Sequence, residues 1–216
     1  MISAKVISIT QPVLEGIPDA EGILSYCARV SNPSNQTNFE TAGKLLSYCA
    51  KKAHWSVFEM VDLTIEIKAP RDISRQILRH QSAKFQEFSQ RYAKVSDFVI
   101  REARLQDETN RQNSTKLEDN TLQKEWKDRQ KEVLTLIQKH YEWALERGIA
   151  KECARVILPE GNTMSCLYMK ASVRTWIHYL QLRTSNGTQL EHVEVAKACR
   201  EEFLKHFPFL FEYLDG

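Results

Sequence analysis

Two stretches of alternating hydrophobicity are set among many helical ones, and this imbalance constrains the fold more than any other feature. Met1 to Thr10 places Ile2, Val6, Ile7 and Ile9 around Lys5, and Val57 to Ile67 alternates around Val61, Leu63, Ile65 and Ile67. A period of two is the mark of a half-buried strand. Pro12, Gly16, Pro18 and Gly22 punctuate the loop after the first run. Helical spacing predicts a short helix over 23–30 and a second over 41–53, with Ala42, Leu45, Leu46, Cys49 and Ala50 on one face. A third follows Pro70, capped by Asp72 and continuing through Ile73 and Ile77. A long amphipathic helix carries Trp126, Val133, Leu134, Ile137, Tyr141 and Ala144 and ends at Gly148. A shorter helix surrounds Ala154, Val156 and Ile157. Ser172 caps another with Val173, Trp176, Ile177 and Leu180, and the last runs from about Gln189 to His206. Thr163 to Met169 reads either as a strand or as the lead into a helix. Helices outnumber strands without alternating with them, which predicts an α+β fold: a single domain over 1–216 with a small antiparallel or mixed sheet and several helices. The polar stretch at about 103–123, nearly free of apolar residues from Asn110 to Thr115, predicts a surface insertion.

Charge and cysteine content exclude several classes. The 216 residues hold 30 Lys+Arg against 28 Asp+Glu, a formal net charge of +2, too mild for a histone-like coat of nucleic acid. An anion site must therefore come from local placement of basic groups. Cys27, Cys49, Cys153, Cys166 and Cys199 are odd in number with no Cys-x-x-Cys, which predicts free thiols in a reducing, cytoplasmic compartment. The first ten residues lack the basic start and apolar run of a signal peptide, and no stretch is long and apolar enough to span a membrane. No dinucleotide glycine fingerprint, phosphate loop, nucleophile elbow or His-Glu-x-x-His is present, and the histidines do not pair at metal spacings, so no metal site is expected.

Two sets of residues carry chemistry. Arg71, Arg75 and Arg79 lie four apart and would form a helical ridge, with Gln76 and His80 on the neighbouring strip. Beyond them Gln81, Ser82, Lys84, Gln86, Glu87, Ser89, Gln90, Arg91 and Tyr92 are dense in amide, hydroxyl and guanidinium groups. Arginine grips phosphate or carboxylate with two parallel hydrogen bonds. A solvated helix with a polar loop is the plain alternative. The second set is Arg155, Arg174, His178 and Arg183. Arg155 also reads as a cation closing a helix C-terminus, and His178 as a packed core histidine. His54, with Ser56 and Glu59, sits at a helix-to-strand junction. Spacing alone points to a site for an anionic, planar ligand.

Arg79-His80-Gln81, followed after seven residues by Ser89, resembles the R-H-R-x7-S signature of the flavin-dependent thymidylate synthases. Ala28-Arg29-Val30-Ser31, His54-Trp55-Ser56-Val57-Phe58-Glu59, Arg155-Val156-Ile157-Leu158-Pro159 and the Arg174 to Glu191 segment resemble that family's other landmarks in the same order. The resemblance spans about 28–200. It implies that family's α+β fold, a homotetramer with active sites at subunit interfaces, and conversion of dUMP to dTMP. Methylenetetrahydrofolate is then the carbon donor and NADPH the reductant of bound FAD. It implies FAD contacts at Ser56, Arg79, His80, Gln81, Glu87, Ser172, Arg174 and His178, with His54 near the flavin ring. It implies dUMP contacts at Gln76, Arg79, Glu87, Phe88, Ser89, Gln90, Arg91, Arg155 and Arg183. His54 and Arg183 carry the catalytic roles, Arg183 by polarising the uracil ring. A guanidinium is too weak an acid to give up its proton, but it stabilises negative charge developing on a ring. Ser89 has no adjacent base and reads as a substrate-positioning hydroxyl.

Three departures accompany the resemblance. Gln81 takes the place of the third basic residue, Gln86 stands where Asn is common, and Ser172 where Asn often serves the flavin. Two other readings follow from the same residues. One is a flavin protein that has lost catalysis through Gln81. The other is a single-stranded nucleic-acid module using the Arg71–Arg91 cluster with Phe85, Phe88 and Tyr92 as stacking platforms, although the mild net charge leads to the expectation of no nucleic-acid partner.

Overall fold

The structure is a computed structural model describing residues 1–185 and 187–214. Along the chain run β1 (Ser3–Ile9), α1 (Ala20–Ala28), α2 (Ala42–Lys51), β2 (Asp62–Pro70), α3 (Arg71–Ile77), β3 (Lys84–Glu87), β4 (Arg104–Gln106), β5 (Ser114–Lys116), α4 (Asn120–Glu146), α5 (Lys151–Ala154), β6 (Met164–Ser172), α6 (Val173–Thr184), α7 (Leu190–Leu204) and α8 (Phe211–Leu214). This is an α+β fold, as its unalternated pattern predicts. One four-stranded antiparallel sheet has the order β1-β2-β6-β3. Its central pair is in register from Asp62 opposite Ser172 to Pro70 opposite Met164.

Alternation in β2 buries Leu63, Ile65, Ile67 and Ala69 completely, and helices cover that face. Trp176, Ile177 and Leu180 of α6 and Val195, Ala196, Cys199 and Phe203 of α7 join the same core, with Leu24 of α1 and Leu46 of α2. Each fully buried large side chain contributes about 1.5–3 kcal/mol of transfer free energy. Trp176 also satisfies its lone polar atom, the Nε1–H donating to the Leu63 carbonyl at 3.0 Å. A smaller cluster of Val95, Tyr141, Ala144, Ala154 and Leu158 holds α4 and α5 to the loop after β3.

Several local expectations are corrected. The alternating run does not begin at Val57: Trp55–Glu59 is a turn of 3-10 helix that sinks Phe58 into the core, and the strand starts at Asp62. Asp72 does not cap α3; its carboxylate takes a two-pronged hydrogen bond from Arg101, and Pro70 occupies the cap position. The helix stops at Ile77, so Arg79 leaves the ridge expected of Arg71, Arg75 and Arg79, and Arg71 is buried. Lys84 to Glu87, expected within a polar loop, adds a strand to β6. The polar stretch holds a hairpin of β4 and β5, with Asp107 tying its turn through four hydrogen bonds from Thr109, Asn110 and Asn113. On α4 the buried side chains are Gln130, Leu134, Tyr141 and Ala144, whereas Trp126 and Val133 face outward. The helix expected from about Gln189 to His206 runs from Leu190 to Leu204, and the short α8 follows it.

Three local devices fix the framework around the candidate residues. The end of α2 is closed by two backbone bonds, His54 N–H to Cys49 O at 2.9 Å and Ala53 N–H to Ala50 O at 3.1 Å, with Ala53 at a φ of +57°. That is the left-handed helix stop that glycine normally fills. Buried Arg29 reaches the Asn38 carbonyl and the Thr41 hydroxyl, closing the loop between α1 and α2. In the edge strand β1 the pairing with β2 shifts between Val6 and Ser8, and the Val6 N–H donates to Glu202 of α7 at 3.3 Å.

Candidate active site

The sheet and α6 distribute the candidate residues into three groups. The first gathers where the loop after α3 meets the end of α6. There Arg183 donates its Nε–H to His80 Nε2 at 3.0 Å, and His80 stands edge-on to Tyr179 with ring centres 4.9 Å apart. Burial, then the Arg183 charge, pushes the His80 pKa down to about 4, so the ring is neutral and its Nε2 is free to accept. The rest of the Arg183 guanidinium makes no other hydrogen bond among the described residues. Gln76 lies beside this pair, bonded to His192 Nδ1 and Gln189.

The second group surrounds Glu87. Its carboxylate takes Ser165 Oγ at 2.9 Å, Arg75 at 3.3 Å and Arg71 at 3.5 Å, and Glu160 bridges the same two arginines. Two arginines of the basic cluster are thus neutralised by two carboxylates. Downstream, Phe88 packs on the smaller core, Ser89 accepts from the Arg91 N–H, Gln90 is buried, and Arg91 pairs with Glu152 at 3.1 Å. Phe85 packs on the main core, which leaves Tyr92 as the exposed aromatic of its trio. The guanidinium groups of Arg79, exposed, and Arg155, half-buried, have no hydrogen bond or ion pair among the described residues. Gln81 is exposed beside Arg79.

The third group lies at the start of α6. Ser172 caps that helix, accepting from the Thr175 N–H at 3.3 Å. Arg174 pairs with Glu59 at 3.1 Å. His178 is exposed, not packed in the core, with its ring edge-on to Trp55 at 4.9 Å. Burial first, and Arg174 next, lowers its pKa against the opposing pull of Glu59. His54 and Ser56 flank Trp55 on the exposed rim, His54 with its ring 6.1 Å from that of Tyr48.

One chain does not bring the three groups together. Ser165 marks the Glu87 group and Ser172 the other end of β6; seven residues of strand at ~3.3 Å each separate them by about 23 Å. Arg174 and Arg183 are nine residues apart on α6, about 14 Å along its axis. The larger grooves lie elsewhere: one of about 520 Å³ runs past Arg29, Thr41 and Tyr48, and one of about 480 Å³ past Ser47, Lys51 and Phe209. One of about 450 Å³ runs past Met1, Val99, Arg101 and Glu191, another of about 410 Å³ lies between the hairpin and Leu190, and neither is lined by a candidate residue. Among the described residues no cluster of His, Cys, Asp or Glu is placed to hold a metal, and no helix is long and apolar enough to cross a membrane.

Sequence reasoning missed Tyr179, His192, Gln189, Glu191 and Arg104, which continue the first group inward and down to the hairpin. The available signal was the run Gln189-Leu190-Glu191-His192, three polar residues opening a helix whose inner face is otherwise apolar.

Fold and site together describe an α+β enzyme-like domain with arginine, amide and neutral imidazole groups poised for an anionic, ring-bearing ligand. The family model described as thymidylate synthase complementing protein matches residues 12–209. A probable flavin-dependent thymidylate synthase of Paramecium bursaria Chlorella virus 1 is 50% identical, with 99% of each chain covered. The flavin-dependent thymidylate synthase of Synechocystis sp. is 49% identical over 99% of this chain and 100% of its own. A solved structure of the UMP/dUMP methylase PolB from Streptomyces cacaoi, bound with 5-Br dUMP, superposes with a TM-score of 0.82 at 24% identity, covering 100% of this chain and 95% of that one, and shows the same fold. The chain belongs to the flavin-dependent thymidylate synthase family.

Proposed function

We propose that this protein carries out the reductive methylation of dUMP to dTMP, with FAD as its flavin, methylenetetrahydrofolate as carbon donor and NADPH as reductant. The observation that carries the reading is the Arg183–His80 pair beside Gln76. Neutral His80 holds Arg183 by its Nε–H and leaves the two terminal amino groups free to face a ring oxygen and stabilise charge that develops there. Gln76 and the uncommitted Arg155 supply further contacts to a nucleoside monophosphate, with Ser89, Gln90, Phe88, Arg91 and Glu87 lining its approach.

The residues present fit a flavin dinucleotide. Arg79 has a free guanidinium, and Arg174, His178 and Ser172 cluster at the start of α6 beside Trp55. In this reading Arg79, Arg174 and Gln81 hold the diphosphate and sugar, His80 and Glu87 shape the pocket wall, and His54 and Ser56 flank the ring. The flavin supplies hydride chemistry that the protein positions. The flavin chemistry calls for no thiol; burial raises the pKa of Cys27, Cys49 and Cys166, Cys199 is sealed in the core, and Cys153 is exposed.

The separation of the flavin group from the Glu87 group supports an active site completed by a second copy of the chain, within a homotetramer. The exposed stripe of Leu122, Trp126, Val133, Leu136 and Trp143 along α4 is suited to such contacts. The free thiols are consistent with a cytoplasmic setting.

The test is spectroscopic and then chemical. The purified protein is expected to take up FAD, to change its flavin absorption on titration with dUMP, and to release tritium from 5-tritiated dUMP when NADPH and methylenetetrahydrofolate are supplied. FAD uptake without release would favour a binding protein disabled at Gln81. Arg183→Ala should retain FAD and lose turnover by about 10²–10³-fold, the range for deleting one charge-stabilising donor. Near-normal turnover would refute the ring-polarising role.

A further inference from the structure

Buried polar groups in this protein form a series whose direction is set by one carboxylate. Glu191 is held by Arg104 at 2.8 and 2.9 Å, and hydrogen bonds from Arg104, its own N–H and Gln189 keep it ionised against the opposing effect of burial. A carboxylate only accepts. Gln189, 2.9 Å from Glu191, must therefore turn its amino group to it and its carbonyl oxygen to Gln76. Gln76 then donates its Nε2–H to that oxygen at 2.8 Å, which leaves its Oε1 facing His192 Nδ1 at 3.1 Å. An amide oxygen only accepts, so Nδ1 carries the hydrogen. His192 Nε2 is then the acceptor for the Tyr179 hydroxyl at 3.2 Å. Burial first, then the charges of Arg183 and His80, lowers the His192 pKa to about 3, and burial keeps the Tyr179 hydroxyl protonated. Both side chains are sealed in the core, at 0% and 1% exposed, so neither can exchange this partner for water.

The amide of Gln76 is the point where this series reaches the candidate site. One N–H and one oxygen lone pair are used by the protein, and one of each remains for a ligand. An amide free to flip would present the reverse order half of the time. We propose that His192 is a positioning residue for nucleotide binding: by donating from Nδ1 it locks the Gln76 amide in one orientation, with Glu191 defining that orientation from the far end of the series. Tyr179 links the lock to the first group, because its ring also supports His80. The proposal rests on the reading of Gln76 as a dUMP contact.

Calorimetric titration of the FAD-loaded protein with dUMP tests it. His192→Phe keeps the ring volume and removes the donor; it should weaken dUMP by about tenfold, the worth of one lost oriented hydrogen bond, while FAD affinity stays unchanged. His192→Asn, which restores an N–H near Nδ1, should recover most of that loss despite its smaller volume. A packing role predicts the opposite order, with Phe better than Asn. Glu191→Gln is nearly isosteric and leaves His192 untouched, but it releases the direction of the series and should weaken dUMP in the same sense. The proposal is overturned if folded His192→Phe and Glu191→Gln proteins both bind dUMP within about twofold of the parent, or if Phe binds better than Asn. Should His192→Phe fail to fold, the Glu191→Gln result decides alone. Absence of dUMP binding by the parent itself would instead overturn the reading of Gln76, and this proposal with it.

Discussion

At the scale of single residues, histidine ionisation links the site to stability. His80 and His192 have pKa values lowered to about 4 and about 3 from an ordinary 6.5, first by burial and then by the Arg183 charge. Both are neutral when folded, whereas the unfolded chain protonates them below 6.5. Their contribution to stability is therefore complete above pH 6.5 and is lost as the pH falls toward the folded values. Most carboxylates titrate lower, so the interval from pH 6.5 to about 5 isolates the histidines. Urea midpoints should decline over that interval, and the decline should be shallower in His192→Asn; an unchanged slope would contradict the buried neutral ring. The residues of the site were unequally legible. Arg183, His80 and Gln76 stood out by motif, but nothing local signals that Arg183 would meet a histidine 103 positions earlier in the chain. His192 was hidden because it sits on an apolar helical face and its partners come from α3 and α6.

At the scale of elements, Ala53 carries a measurable strain. It occupies the left-handed stop of α2 that a glycine would adopt without a Cβ penalty. Ala53→Gly should raise stability by about 0.5–1 kcal/mol in chemical denaturation, since both backbone closing bonds are kept. A loss of stability would show that the alanine methyl is needed for packing. Elements with strong periodicity or a cap were legible: β1, the helical course of α4 and the Ser172 cap of α6 all follow from local rules. β3 was not, because Lys84-Phe85-Gln86-Glu87 has one apolar residue in four and becomes a strand only through the edge that β6 offers it. The 3-10 turn at Trp55–Glu59 left a trace in the sequence: Phe58, Glu59 and Met60 invert the apolar and polar order that holds from Val61 to Ile67, and Phe58 is the residue buried.

At the scale of the whole molecule, the two ends of α6 make the division of labour testable. If each active site takes its Arg183 end from one chain and its Arg174–His178 end from another, two separately inactive proteins should complement. Arg183→Ala and a double Arg174→Ala, His178→Ala variant, refolded together, should regain tritium release that neither parent shows. Failure to regain it, with mixed oligomers demonstrated, would place both ends in one chain. The way the sheet terminates bears on how such an assembly grows. β3 is four residues long, and β1 is kinked by its register shift with the Val6 amide covered by Glu202. Neither margin offers a long row of free amide hydrogens, so a stray chain has little to template on. Helices and loops offer copies of the chain more to meet through than these margins do. The crowded, concentrated protein is thereby spared the open-ended strand addition that leads to fibres.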